Sequence, residues 1–468
     1  MQKVDESKTI KVTNQRYRQQ FHISTPGGWL NDPNGLCYFK GYYHVFYQFH
    51  PYSAEWGPMH WGHVRSRDLV HWEQLPVALV PGDPEDTGGC FSGSAIVKDG
   101  RLYLIYTGHH YFDDGDQDHF WENQNLAYSD DGIHFTKSKH NPIITAPADN
   151  TQHFRDPKVW QNDGYYWLIL GSQATDGLGR ALLYRSTNLI LWENQGPIAK
   201  AKVADSEGFM WECPDFFRVN DTDILLYSPM GIKAVAHNFL NVSSVCYQAG
   251  QLNYEQATFD HGPFWELDRG HNFYAPQTFL TPDKRRILIG WMSSFDDPMP
   301  EKADGWAGCL TLPRELHYQK GQLLMTPARE LKNLRESQVA NEVMTLASSY
   351  TFNYDDQQHS EQLITIDLAP ASITKWQLES AGKPLLTLVA DQASGDITIQ
   401  QGDLTPRYAK FTGHQLKLHL FIDTSSVEIF INDGETTFTE RYYADQPIQT
   451  TVSANQALPT QIEAYQLA

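Results

Sequence analysis

NDPNGLCYFKGYYHVFYQF (residues 31–49) joins a polar, proline-bearing turn to a short apolar strand, a Lys40-Gly41 turn and a second strand crowded with aromatics. Val, Phe and Tyr favour strands, and Gly, Pro, Asn and Asp punctuate them. One such hairpin is commonplace, but the pattern recurs. FSGSAIVKDGRLYLIYTG starts at Phe91, FRDPKVWQNDGYYWLILGS at Phe154, ECPDFFRVNDTDILLYSP at Glu212 and FYAPQTFLTPDKRRILIGWM at Phe273. The five starts lie about 60 residues apart, a blade-sized period.

Further strand-like runs follow several of these units: HVRSRDLVHWEQLP (63–76), LAYSDDGIHFTKSKHNP (126–142) and LLYRSTNLILWENQGP (182–197). They supply outer strands. Four strands per unit and five units predict an all-β chain whose residues 1–322 form a five-bladed β-propeller. Residues 323–344, with TPARELKNLRES at 326–337, read as a linker. From 345 to 468 many short strands with turn signals such as NDGE (432–435) predict a C-terminal β-sandwich, read as structural or as a rim to the pocket.

Radial repeats place equivalent positions at equivalent radius and height. Asp32, Asp156 and Glu212 each open the first strand of a unit, beside or one residue from Pro33, Pro157 and Pro214. The expectation is that they converge at one mouth of the channel, with Ser92 and Tyr274-Ala275 arriving from the other two blades. Gathered carboxylates raise at least one pKa, and a neutral and an ionised carboxyl together can cleave a glycosidic bond.

The 468 residues carry a net charge of −20, which argues against nucleic acid and anionic membranes as partners. The 13 Trp, 24 Tyr and 23 Phe offer platforms for sugars. There is no apolar run of signal-peptide type and no stretch of 18 apolar residues. Five scattered cysteines (Cys37, Cys90, Cys213, Cys246, Cys309) make no disulfide framework and read as free thiols in a reducing cytoplasm.

The segments WLNDPNG (29–35), EWGPMHWGH (55–63), CFSGSA (90–95), HFRDPKVW (153–160), MWECPDFF (210–217), LDRGHNFYAPQTF (267–279), RRILIGWM (285–292), GWAGCLTLPREL (305–316) and SSVEIFINDGE (425–435) resemble those of glycoside hydrolase family 32. Within it they are most similar to intracellular bacterial sucrose-6-phosphate hydrolases. The resemblance implies a retaining β-fructofuranosidase without cofactor or metal. Asp32 would be the nucleophile, Glu212 the acid/base, and Asp156 the residue that holds fructosyl hydroxyls, with the Asp32 and Glu212 carboxyls about 5–5.5 Å apart. Trp29, Leu30, Asn31, Gln48, Trp56, Phe91, Ser92, Arg155 and Trp291 would bind substrate, and Arg155 would keep Asp156 ionised. Leu30 and Asn272 stand where the family often has Met and Asp. The Asn272 swap bears on a fructose-side contact.

Sucrose 6-phosphate or sucrose is the expected substrate. By strand parity His44 and Arg285 are candidates for a phosphate contact. A fructan or fructooligosaccharide hydrolase or a fructosyltransferase is the alternative within the family, and a non-catalytic sugar-binding propeller the alternative outside it. His60 and His63 are read as structural, DDGDQDH (113–119) as a solvated acidic loop, GHH (108–110) as a blade loop near the mouth, and Cys213 as a buried neighbour of the acid. The sequence sets no oligomeric state.

Overall fold

The computed structural model describes residues 3–354 and 358–468, so residues 1–2 and 355–357 of the two expected domains lie outside the description. Five antiparallel sheets are set around one axis, followed by two six-stranded sheets packed face to face. This is the five-bladed propeller and sandwich that the repeats predict.

The innermost strands are Gly28–Phe39, Gly89–Lys98, Asn150–Asn162, Met210–Val219 and Tyr274–Leu280. Each contains a repeat start or, in blade 5, follows it by one residue. Both faces of a blade are covered by its neighbours, so the inner strands show long buried runs, polar residues included, rather than alternating burial. Phe46 and Trp61 pack on Leu104 and Tyr106 between blades 1 and 2. Trp167 and Ile169 meet Trp211 and Phe216 between blades 3 and 4. The ring closes where Trp306–Ala307, from the excursion between Arg286–Trp291 and Arg314–Gln319 of blade 5, pairs in parallel with Gly28 and Trp29. The outer-strand repeats share one turn, in which the Asp68, Asp131 and Asn188 side chains accept backbone N–H groups two and three residues on.

A shared irregularity matters most for function. Every inner strand slips register against its partner at the same height: between Leu30 and Pro33, Phe91 and Gly93, Arg155 and Lys158, Glu212 and Asp215, and Tyr274 and Gln277. Such bulges re-aim side chains and gather beside active sites. At three of them a non-glycine residue takes a left-handed φ: Asp156 at 64°, Cys213 at 47° and Ala275 at 48°. Each is followed by proline.

The segment expected as a linker is mostly strand. Gln322–Pro327 completes blade 5, Arg329–Leu334 is a 3-10 turn, and Arg335–Leu346 already belongs to the sandwich. Charged residues on its solvent face hide that last strand from a hydrophobicity reading. Lys383–Asp391 and Asp396–Gln401 show the half-buried alternation of sandwich strands. The sandwich docks on the propeller through Phe21, Leu312, Leu331, Leu334, Phe421 and Phe430.

Buried charges tie the two together. Arg314 lies 2.8 Å from Asp268 and 2.7 Å from Glu428, and His22 bridges Asp423 (2.7 Å) and Glu428 (2.9 Å). No described helix is long and apolar enough to cross a membrane.

Candidate active site

The five bulges open into one cavity of about 590 Å³, within the size range of small-molecule sites. In four blades the bulge reads Asn31-Asp32-Pro33, Arg155-Asp156-Pro157, Glu212-Cys213-Pro214 and Tyr274-Ala275-Pro276, and in blade 2 Phe91-Ser92-Gly93. The first residue of every triplet lines the cavity: Asn31, Phe91, Arg155, Glu212 and Tyr274. The middle residue supplies the Asp32 and Asp156 carboxylates and the Ser92 hydroxyl. Glu212 is therefore not at the position equivalent to Asp32 and Asp156, as the repeat alone suggested. It stands one residue earlier, and its longer side chain still brings its carboxyl into the same cavity.

Asp32 is almost completely buried. Its Oδ2 accepts from Ser92 Oγ (2.6 Å) and Cys213 Sγ (3.4 Å), and its Oδ1 from Asn31 Nδ2 (3.0 Å). Trp29 Nε1 donates to Asn31 Oδ1 at 2.7 Å, which turns the Asn31 amide nitrogen toward Asp32. Burial pushes the Asp32 carboxyl up, and the Ser92 and Asn31 hydrogen bonds oppose it. The Cys213 backbone N–H donates to Asp156 Oδ2 at 2.8 Å, so the left-handed turn at Cys213 serves both aspartates. Burial, with the Glu212 and Asp32 charges beside it, outweighs Arg155 and pushes Asp156 up to about 8.

Glu212 Oε1 accepts from Arg155 Nη2 (2.8 Å) and Nε (3.2 Å), and Oε2 accepts from the Tyr274 hydroxyl. Its two supports are thus the first-position residues of the flanking blades. Arg155 does not pair with Asp156 as expected; its other nitrogen, Nη1, reaches Glu122 Oε2 (3.4 Å) and His153 Nδ1 (3.0 Å). Burial opposes the charge on Glu122, but Arg155, His109 and the Phe154 N–H (2.8 Å) hold its carboxyl at about 2. Glu122 is a fourth, firmly ionised carboxylate in the wall.

Gln48, Trp56, Phe91 and Ser92 line the cavity as expected of substrate contacts. Trp56 is 38% exposed and sets its edge against Phe91, which stacks on His109 at 4.2 Å. Trp29, Leu30 and Trp291 are buried behind the lining and belong to the core between blades. Asn272 lies outside the lining too, which corrects its reading as a fructose-side position.

His44 and Arg285 do not reach the cavity. His44 bonds His63 at 2.9 Å inside blade 1, where burial drives it down to about 4. Arg285 is taken up by Asp283 (2.9 Å), Glu315 (3.3 Å) and Glu330. Strand parity gives a residue's face but not its height along the blade.

Sequence reasoning missed Glu122, His109, His153, Phe295, Gln117 and Asp118 in the lining. GHH is part of the strand Arg101–Tyr111, not a loop. The acidic loop after it brings Gln117 and Asp118 to the cavity. Tyr274 was expected at the mouth, but without a site role, although Y-A-P repeats the phase of R-D-P and E-C-P.

Residues 22–327 match the Glycosyl hydrolases family 32 N-terminal domain, and residues 330–465 the Glycosyl hydrolases family 32 C terminal. The chain belongs to glycoside hydrolase family 32. Among its relatives, the sucrose-6-phosphate hydrolase of Escherichia coli is 42% identical over 90% of this chain and 88% of its own. The raffinose invertase of Escherichia coli is 41% identical over 90% of this chain and 89% of its own. A Bombyx mori GH32 beta-fructofuranosidase mutant in complex with sucrose superposes with a TM-score of 0.88 at 36% identity, covering 97% of this chain and 95% of that one. This family 32 chain is a glycoside hydrolase of the β-fructofuranosidase class.

Proposed function

We propose that the protein hydrolyses the β-fructosyl linkage of sucrose 6-phosphate and sucrose with retention, by double displacement. The observation that carries this is the meeting of Asp32, Asp156 and Glu212 in one cavity. Asp32 attacks the anomeric carbon while Glu212 protonates the departing glycosidic oxygen, leaving an ester between Asp32 and the fructosyl unit. Glu212 then takes a proton from water, the water oxygen bonds to the anomeric carbon, and the Asp32 carboxylate is released.

The reaction needs Asp32 ionised and one proton on Glu212. Three donors converge on Asp32 and favour its charged form. Coupled carboxylates in one cavity hold their protons as a group. Fructosyl hydroxyls donating to Asp156 would stabilise its carboxylate and leave the group's proton to Glu212 at the leaving oxygen. Tyr274 and Arg155 keep the Glu212 carboxyl aimed across the cavity during both steps.

The names of relatives support sucrose 6-phosphate as substrate. The lining favours a second reading, unphosphorylated sucrose: Arg155 is its one Lys or Arg among the described residues, it is occupied by two carboxylates, and Asp118 stands at the rim. Five buried free cysteines support a reducing, cytoplasmic setting.

The test is fructose release from sucrose and sucrose 6-phosphate by the purified enzyme, with kcat/KM compared. A ratio near one removes phosphate recognition, and trisaccharide at high sucrose points to transfer instead. Asp32→Asn and Glu212→Gln should each lower kcat by at least about 100-fold with folding intact. Near-normal turnover in either refutes its role.

A further inference from the structure

Asn272 sits where the propeller touches the sandwich, outside the cavity, with its side chain used at both ends. Oδ1 accepts from the Arg441 backbone N–H at 2.7 Å and lies 3.4 Å from Gln401 Nε2, both in the sandwich. Nδ2 donates to Asp297 Oδ2 at 2.8 Å. The same Asp297 oxygen accepts from the Ser294 N–H (2.7 Å) and Ser293 Oγ (3.1 Å), closing the turn that carries Phe295. Phe295 is 49% exposed, stacks on Trp29 at 6.1 Å, meets Trp291 edge-on at 5.1 Å and forms part of the cavity wall. An unbroken chain of contacts therefore runs from the sandwich through Asn272 and Asp297 to a side chain facing substrate.

We propose that Asn272 is a positioning residue through which the sandwich sets the Phe295 wall of the sugar cavity. The chemistry calls for an amide. One end must accept from a backbone N–H and the other must donate to a carboxylate, and an ionised Asp cannot donate. Asp at 272 would put two carboxylates at hydrogen-bond distance, and one must then take a proton or move away. No cation relieves them: among the described residues Asp297 has no ion pair. Of the nearby charges, Arg441 is directed at Glu301 (3.1 Å), Glu440 is bound to His271 (2.7 Å), and Arg407 acts on Asp297 only through its field. Burial already pushes the Asp297 carboxyl up.

The inference rests on the β-fructosidase reading, and the experiment separates the two. In Asn272→Asp the turn shifts at pH 7.5. KM for sucrose should rise about tenfold, the size of one lost charge-assisted hydrogen bond, with kcat within about twofold, because the carboxylates are untouched. At pH 5 the shared proton restores a donor and KM returns toward the wild-type value. Phe295→Ala should raise KM equally at both pH values. Asn272→Ala, which lacks the donor at either pH, should raise KM at pH 7.5 and at pH 5 alike and remains informative if Asn272→Asp folds poorly. An unchanged KM at pH 7.5 in folded Asn272→Asp or in folded Asn272→Ala overturns the inference. A wild-type enzyme that releases no fructose overturns the underlying reading instead.

Discussion

Glu122→Gln removes one buried charge and little else. Gln has the same volume, and its carbonyl can still accept the Phe154 N–H. Its carboxyl stands at about 2 against an ordinary 4.5. That gap of 2.5 is worth about 3 kcal/mol in favour of the charged form at about 1.36 kcal/mol per pH unit. Only 3% of Glu122 is exposed, so solvent screens little of this.

A carboxyl held below its unfolded value stabilises the fold above pH 4.5 and loses that contribution as pH falls toward 2. At pH 7 the variant should therefore be less stable by about 3 kcal/mol, at the low edge of the about 3–5 kcal/mol seen when one half of a buried pair is deleted. Arg155 would be left with Glu212 as its one carboxylate partner and drawn further toward it, and misplacing such a group can cost up to about 100-fold in kcat. Thermal unfolding at pH 7 and pH 4 with kcat on sucrose reads both effects, and the stability deficit should shrink at the lower pH. A variant melting within about 1 °C of wild type at pH 7, with kcat within about twofold, would show that the Glu122 charge neither holds the wall nor aims Arg155.

His22, buried between Asp423 and Glu428, is held at about 9 against 6.5, because the two carboxylates outweigh its burial. A raised histidine stabilises the fold fully below 6.5 and loses that effect as pH climbs to 9, so wild type should out-melt His22→Gln at pH 6 and not at pH 9.5. Iodoacetamide should leave activity intact, since all five cysteines are buried and burial pushes the Cys213 thiol well up; rapid inactivation would contradict this. Trp56→Ala should raise KM for sucrose roughly 3- to 10-fold with little change in kcat, as loss of an aromatic platform predicts. An unchanged KM would remove Trp56 from the sugar site.

The ring of blades was legible because its signal is redundant. Five proline- or glycine-marked units at a common period leave few arrangements, and every inner strand contains or adjoins its marked turn. The phase inside the unit was less legible. A proline shows that a bulge is near, but which of the two preceding residues faces the axis depends on a left-handed φ that Asp156, Cys213 and Ala275 adopt without being glycine. This is why Glu212 was set one position off.

Glu122 was hidden for another reason. It lies on Phe120–Ser129, so its place in the lining follows from register, not from any local motif, whereas His109 was expected near the mouth but in a loop rather than on Arg101–Tyr111. His44 shows the opposite error. It shares a face with Gln48, but four residues at about 3.3 Å each carry it about 13 Å down the blade. Asn272 looked like a weakened sugar contact until its partners on the sandwich and at Asp297 were placed.

The wall of the cavity carries an excess of acceptors, and this shapes what it can hold. Asp32, Asp156, Glu212 and Glu122 face a single guanidinium, Arg155, and Asp118 adds to the rim. Even with one proton among the inner three, the described lining remains anionic, and His153, driven down to about 4 by burial and Arg155, adds no positive charge near neutral pH. Such a cavity is satisfied by a neutral ligand that brings many donors at once, which is the chemistry of a sugar. A ligand anion placed deep in it would add like charge with no cation free to meet it. If the substrate carries a phosphate, as proposed, this lining argues for the phosphate lying outside it, toward water, where salt would screen it. Under the proposed function the fructosyl end would be read by buried, directional hydrogen bonds, which would reject an ill-fitting sugar strongly because each unmet polar group would stay unpaired. The same reasoning makes the Phe295 wall the adjustable element: it is apolar, partly exposed, and carried by a turn that Asn272 links to the sandwich.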